Sequence, residues 1–316
     1  MNRVDSVLIT GASGFIGGRL LDALSNVRDL KLIGVSRKEI THSANFLRIE
    51  TMDGATDWSA ALVGIDVVIH AAARAHVMKD LADSPLAEYR KINVDGTLRL
   101  ASQAAKAGVK RFIFISSIKV NGESTPVGRP FTPEDDPAPQ DSYGISKLEA
   151  ERGLMQLASE TCMQVVIIRP PMVYGAGVKG NFSRLAQLVR RGIPLPLGSI
   201  HNRRSLIGID NLLDLIMCCI DHPAAANQVF LAADGEDLST TELLRGLGLA
   251  MGKPARLIAL PAGLLRFGAT LLGKKAVAQR LLGSLQVDIG KANELLDWRP
   301  PFTVKEGLRR CFEPSH

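Results

Sequence analysis

The sequence predicts an α/β fold: a doubly wound parallel sheet with a smaller, mainly helical second region. Three observations carry this expectation. Apolar runs of strand length alternate with helical patterns through the first half of the chain. The runs are apolar throughout, as strands covered on both faces are. A glycine-rich turn, Gly11-Ala12-Ser13-Gly14-Phe15-Ile16-Gly17, joins the first strand to the first helix.

Taken in order, residues 4–10 are an apolar run that ends in this turn, and 15–24 carry a helical pattern. Residues 31–36 read as a second strand and 45–52 as a third. Residues 58–62 read as a short helix, with Asp57 as its N-cap, and 67–72 as a fourth strand. Residues 88–107 are a strongly amphipathic helix. Residues 111–116 are a fifth strand that closes on Ser116-Ser117. Helix 142–158 opens with Tyr143 and Lys147. Residues 164–169 are a sixth strand, stopped by Pro170-Pro171. The pattern then loosens into a helix at 181–191, a proline-rich turn at 193–197 and a helical region from 238 onward. Between them, 204–207, helix 209–220 and 228–232 read as further elements of the main layer. The expected division is residues 1–170 plus 204–234 for one domain, and 171–203 plus 235–316 for a second, discontinuous one. The second would lie over the C-terminal strand edges, where open α/β sheets bind ligands.

Composition narrows the class. In 316 residues, 46% are hydrophobic and 22% charged, the balance of an ordinary folded enzyme rather than a disordered chain. The net charge of +6 reads as scattered pairs such as Arg190-Arg191 and Arg309-Arg310, not a stripe, so no nucleic-acid partner is expected. Cys162, Cys218, Cys219 and Cys311 show neither metal spacing nor a disulfide framework, which points to no metal site and a reducing, cytoplasmic setting. The chain opens directly into a strand pattern without leader features. The apolar stretch 257–272 is interrupted by Pro261 and Arg266 and is too short to span a bilayer, leaving only peripheral membrane contact open.

Two motifs carry chemistry. In the glycine-rich turn, Gly11 makes the tight turn, Gly14 lets backbone approach a pyrophosphate and Gly17 allows close helix–strand packing. The N-terminal N–H groups of the helix, from Ser13 through Phe15 and Ile16, then face phosphate. Where an NAD site commonly places an acidic residue for the ribose, the second strand ends in Ser36-Arg37-Lys38, which suits a 2′-phosphate and favours NADP(H), with NAD(H) the alternative. Asp53 follows the third strand and could reach the adenine end. The second motif is Tyr143-Gly144-Ile145-Ser146-Lys147. Tyr and Lys four apart share one helix face, and an ammonium there would lower the phenol pKa. A Ser beside them can bond the oxygen of a carbonyl or carbinol.

Jointly, residues 10–17, His70-Ala71-Ala72-Ala73, residues 92–97, 114–122, 143–147 and 169–175 resemble the extended short-chain dehydrogenase/reductase superfamily, in its nucleotide-sugar epimerase, dehydratase and reductase branch. The resemblance implies a Rossmann-type fold, Tyr143 as acid/base, Lys147 on the nicotinamide ribose and Ser117 on the reacting oxygen. It implies Ser116 near the nicotinamide and Asn93 supporting the lysine. Ala71, Ala72, Ala73, Pro170 and Val173 would line the cofactor pocket. Asn181, Arg204 and Arg280 would hold the diphosphate of a UDP-linked sugar, while Lys119 and Asn121 would influence sugar specificity. His70, Arg74 and His76 lie beyond the fourth strand, where a structural histidine is the commoner outcome. A homodimer through the helices bearing Glu88 and Tyr143 is also implied. Ile118-Lys119 stand where a dehydratase commonly has Asp-Glu. The stretch 116–123 is similar to bacterial enzymes of surface-polysaccharide (O-antigen) synthesis that reduce the C4 ketone of UDP-4-keto-6-deoxy-N-acetylhexosamine. The expected activity is therefore C4 reduction. The alternatives are a UDP-hexose or UDP-N-acetylhexosamine 4-epimerase with bound NAD, a nucleotide sensor and a hydroxysteroid-type dehydrogenase.

Overall fold

The computed structural model describes residues 4–38, 46–75 and 84–313. His76 and the start of the expected 45–52 strand lie outside the described residues.

The main layer takes β1 (Ser6–Thr10), α1 (Phe15–Ser25), β2 (Lys31–Ser36), β3 (Phe46–Arg48), β4 (Val67–His70), α2 (Pro85–Arg90), α3 (Gly96–Lys106), β5 (Arg111–Ile115), α4 (Ser142–Glu160) and β6 (Gln164–Arg169) in chain order. The chain then leaves it through β7 (Met172–Tyr174), α5 (Asn181–Arg190) and β8 (Arg204–Gly208), and returns through α6 (Ile209–Asp221) and β9 (Gln228–Leu231). The remaining elements are β10 (Asp237–Leu238), α7 (Thr240–Ala250), α8 (Ala262–Leu271), α9 (Lys275–Leu282), α10 (Gly290–Leu296) and α11 (Val304–Arg310).

Seven strands form one sheet in the order β3-β2-β1-β4-β5-β6-β9, with every pairing parallel. The order reverses between β1 and β4, so a crevice opens there beyond the strand ends. Both faces are covered. Leu20, Leu212 and Ile216 from α1 and α6 pack on one side. Trp58, Leu62, Leu100 and Leu154 pack on the other. Burial on both faces is why these strands read as unbroken apolar runs. A three-stranded sheet, β10-β8-β7, packs with α5, α7 and α11 around its own cluster, including Phe182, Leu206 and Leu244. Buried Asp234 ties the two regions: it accepts from Tyr174 Oη (2.7 Å), Gly208 N (2.9 Å) and Asn211 Nδ2 (2.7 Å).

Four sequence expectations change. Residues 204–207 form β8, but in the small sheet rather than the main one. Pro170 and Pro171 end β6, and Met172–Tyr174 then supplies an edge to which β8 pairs. Residues 58–62 are a turn, not a helix. Five residues cannot repay helix nucleation, and a single Leu62 N to Trp58 O bond (3.1 Å) closes over the buried Trp58 ring. The third strand shortens to β3. Helix 88–107 is interrupted by a π-helical turn at Lys91–Asp95, between α2 and α3.

Candidate active site

The crevice floor is built by the glycine-rich turn. Gly11 has φ +71°, and a Cβ there would stand 2.7 Å from Ala72 N, so the turn after β1 presses directly on the chain after β4. A Cβ on Gly17 would lie 2.3 Å from Gly11 O, which fixes how closely α1 follows the strand. Gly14 is the N-cap of α1 and brings no side-chain cap. Ser13 and Gly14 are exposed at the mouth. The first-turn N–H groups of an eleven-residue helix are thus presented past residues that carry little bulk, an arrangement that fits a dinucleotide pyrophosphate. Ala12 N donates to Val35 O (3.1 Å) and fastens the turn to the end of β2.

There, buried Ser36 donates to Ser13 Oγ (2.5 Å) and accepts from Lys38 N (3.0 Å), while Arg37 is exposed. No Asp or Glu lies within residues 30–38; Glu39 follows, outside the described residues. Asp53 closes a local turn, accepting from Ala55 N (3.0 Å) and Thr56 Oγ1 (3.4 Å).

The second wall comes from β5 and α4. Asp141 caps α4 by accepting from Gly144 N (2.8 Å). A Cβ on Gly144 would sit 2.9 Å from Lys119 O, so the first turn of α4, with Tyr143, lies tightly against the 3₁₀ turn Ile118–Val120 that Ser117 caps. Lys147, one turn further, is buried. Its Nζ donates to Ile115 O (2.8 Å) and stands 4.3 Å from the Phe114 ring centroid and 5.9 Å from that of Tyr143. Ser117, Tyr143 and Lys147 therefore all lie on the segments that adjoin the C-terminal end of β5.

The electrostatics differ from the sequence expectation. Burial pushes the Tyr143 phenol above its ordinary pKa, and Asp141 adds to the effect. Burial brings Lys147 down to about 7, partly opposed by Glu151. The lysine thus does not depress the tyrosine here: its ammonium is directed to the Ile115 carbonyl, and desolvation dominates both groups.

Several expected roles shift. The Ser116 hydroxyl donates to Glu151 Oε1, away from the crevice. Glu151 is held by Arg169 (Nη2 to Oε2 2.6 Å), and Arg169 Nη1 reaches Asn121 Oδ1 (2.9 Å). Asn121 is 1% exposed, so it belongs to this interior network and cannot set sugar specificity by contact. Lys119 pairs with Glu123 (3.1 Å) and with Asp141 at the rim. Asn93 sits in the π-helical turn and bridges Ser146 Oγ (3.0 Å), Arg74 O (3.1 Å) and Arg74 N (2.8 Å). It holds the loop after β4 to α4, and supports the lysine only through that helix. His70 is a core residue between Thr10 Oγ1 (2.6 Å) and Thr97 Oγ1 (2.9 Å), with burial lowering its pKa to about 3.

Ala71, Ala72 and Ala73 follow β4 beside Gly11. Pro170 O accepts from Ile118 N (3.0 Å), and Val173 pairs with Ile207. Asn181 is the exposed first residue of α5; Gly180, not Asn181, occupies the N-cap. Arg204 donates to Gly283 O (3.0 Å), and burial first, then the nearby Arg280, lowers its pKa. Two cations drawn together in this way favour an anion between them. The sequence reading missed Glu151, although it lies four residues after Lys147 on the same apolar-flanked helix face, the signal that could have found it.

The model of the NAD dependent epimerase/dehydratase family matches residues 7–233. The chain belongs to this family. Its relatives in the family include a Vibrio cholerae UDP-glucose 4-epimerase, 49% identical over 96% of this chain and 94% of that one. An Escherichia coli O157:H7 N-acetyl-α-D-glucosaminyl-diphospho-ditrans,octacis-undecaprenol 4-epimerase is 28% identical over 98% and 95%. In structure, the chain is similar to a Bacillus cereus UDP-glucuronic acid 4-epimerase solved in complex with NAD, at TM-score 0.76 and 23% identity, covering 96% of each.

Proposed function

We propose that this family member is an oxidoreductase acting at C4 of a UDP-linked hexose, and that its reaction is NADPH-dependent reduction of a UDP-4-keto-6-deoxy-N-acetylhexosamine. The observation that carries the reductive reading is the end of β2. Ser36 and Ser13 form a hydroxyl pair beside exposed Arg37, so the strand end itself, Ser36-Arg37-Lys38, carries no carboxylate for a ribose 2′-hydroxyl.

The dinucleotide would rest on Gly11, Gly14 and the start of α1, and its nicotinamide supplies the electron pair for carbon. Tyr143 gives its proton to the C4 oxygen, and a high pKa holds that proton ready below alkaline pH. Ser117 donates a hydrogen bond to the same oxygen and polarises the carbonyl. Lys147 positions the ribose and fixes the first turn of α4 through its bond to Ile115 O. Arg204 and Arg280, with Asn181, would hold the diphosphate.

The Vibrio cholerae relative favours a second reading, UDP-sugar 4-epimerisation with retained NAD. One experiment separates the two. The purified protein is assayed for bound dinucleotide, then incubated with UDP-4-keto-6-deoxy-GlcNAc and NADPH. Stoichiometric NADPH oxidation supports the reductase. Retained NAD, with UDP-GlcNAc converted to UDP-GalNAc and no NADPH consumed, replaces it with the epimerase.

A further inference from the structure

The positive charge of this chain has one source. Residues 243–287 contain seven Lys and Arg and no Asp or Glu; removing these seven from the 38 cations leaves 31 against 32 carboxylates. The net charge of +6 therefore belongs to one segment, not to scattered pairs. That segment includes the α8–α9 hairpin.

The hairpin also carries the densest exposed apolar surface among the described residues. α8 has no buried residue. Leu264, Phe267 and Leu271 are 61%, 66% and 72% exposed, and their spacing puts them on one stripe of the helix. Leu272 and Val277 extend the stripe through the turn. The opposite side, through Ala262 and Leu265, packs on the cluster of the smaller sheet. Part of that inner side also lines a cavity of about 650 Å³, with Arg266, Thr270 and Gln279. Lys274 and Lys275 stand at the hairpin turn, next to the exposed leucines.

We propose that the α8–α9 hairpin seats this protein on an anionic lipid bilayer. An apolar helix face flanked by cations matches the boundary between acyl chains and headgroups: leucine and phenylalanine enter the apolar layer while lysine and arginine meet the phosphates. A second copy is a poor occupant, because a two-fold contact would press two cationic faces together. Each cation near an anionic surface contributes about fivefold in binding. The inner side of the hairpin lines the cavity, so docking and cavity access share one element. The inference concerns the exposed outer face of the hairpin, not Ser117, Tyr143 or Lys147, and does not depend on which C4 reaction they perform.

The test is sedimentation of the full chain with vesicles of phosphatidylcholine alone, or of phosphatidylcholine with phosphatidylglycerol. The expected result is binding to the phosphatidylglycerol vesicles only, weakened by salt. The double variant Leu271→Asp/Leu272→Asp and the variant Lys274→Glu should each cut the bound fraction by several fold, roughly fivefold or more. Turnover of soluble nucleotide sugar should stay unchanged, which shows that both variants fold. Equal sedimentation of wild type and both variants, or no binding to either vesicle, overturns the proposal. Concentration-dependent self-association that Leu271→Asp/Leu272→Asp abolishes, without vesicle binding, assigns the face to a second copy instead.

Discussion

Tyr143 and Lys147 share a helix face, yet burial drives their pKa values in opposite directions, keeping the phenol protonated and weakening the ammonium. Tyr143→Phe removes the proton donor and leaves the ring packing beside Tyr89; kcat should fall by about 10²–10⁴ while dinucleotide affinity holds, as fluorescence titration would show. Unfolded lysine keeps its proton up to about 10.5, whereas folded Lys147 gives it up near 7. Between these values the unfolded chain binds more protons, so the Lys147 contribution makes stability rise with pH from about 7 toward 10.5. Urea unfolding of dinucleotide-free protein at both ends of that window should show this slope in the wild type and a shallower one in Lys147→Met. At the end of β2, Ser36→Asp introduces a carboxylate that bonds a ribose hydroxyl and repels a 2′-phosphate. The preference should move from NADPH toward NADH by ~10-fold or more in kcat/KM, and an unchanged preference would remove Ser36 from cofactor selection.

At the scale of elements, the β1–α1 turn was legible because each glycine answers a backbone demand that leaves a sequence mark: a positive φ at Gly11, a close approach at Gly17. Gly17→Ala forces a Cβ against Gly11 O, so α1 must shift. Thermal unfolding should show a loss of about 1–3 kcal/mol, accompanied by lost dinucleotide binding. The π-helical turn at Lys91–Asp95 was not legible. The helical period through 88–107 is intact in the sequence, and the partners that Asn93 of this turn finds, Ser146 and the Arg74 backbone, are distant along the chain and leave no local mark. Ser116 was placed near the right strand end, but its hydroxyl direction depends on Glu151 and Arg169, residues 35 and 53 positions away. Asn121 was misplaced for the same reason: it looks like a rim polar residue until Arg169 is seen to hold it inside.

For the whole molecule, alternating strands and helices sufficed to predict the parallel sheet, since two-sided burial writes itself into composition. Which sheet a short apolar strand joins is not written there, and β8 went to the wrong layer on that account. Reading charges as pairs such as Arg190-Arg191 and Arg309-Arg310 hid the segment from 243 to 287, where the informative feature is the missing carboxylates. The same segment separates two properties of the molecule. The residues proposed for chemistry gather at the C-terminal ends of β1, β4 and β5, whereas the exposed outer face of the hairpin bears Leu271, Leu272 and Lys274, so vesicle binding and turnover should respond to different substitutions.

The most direct test of the proposed reaction follows the reducing equivalent itself. UDP-4-keto-6-deoxy-GlcNAc is incubated with NADPH deuterated at nicotinamide C4, using both stereoisomers, and the product is read by mass spectrometry and proton NMR. A product carrying one deuterium at sugar C4 from one of the two stereoisomers is the predicted result. A nucleotide sugar inverted at C4 without deuterium, from a chain that retains its own NAD, would contradict it.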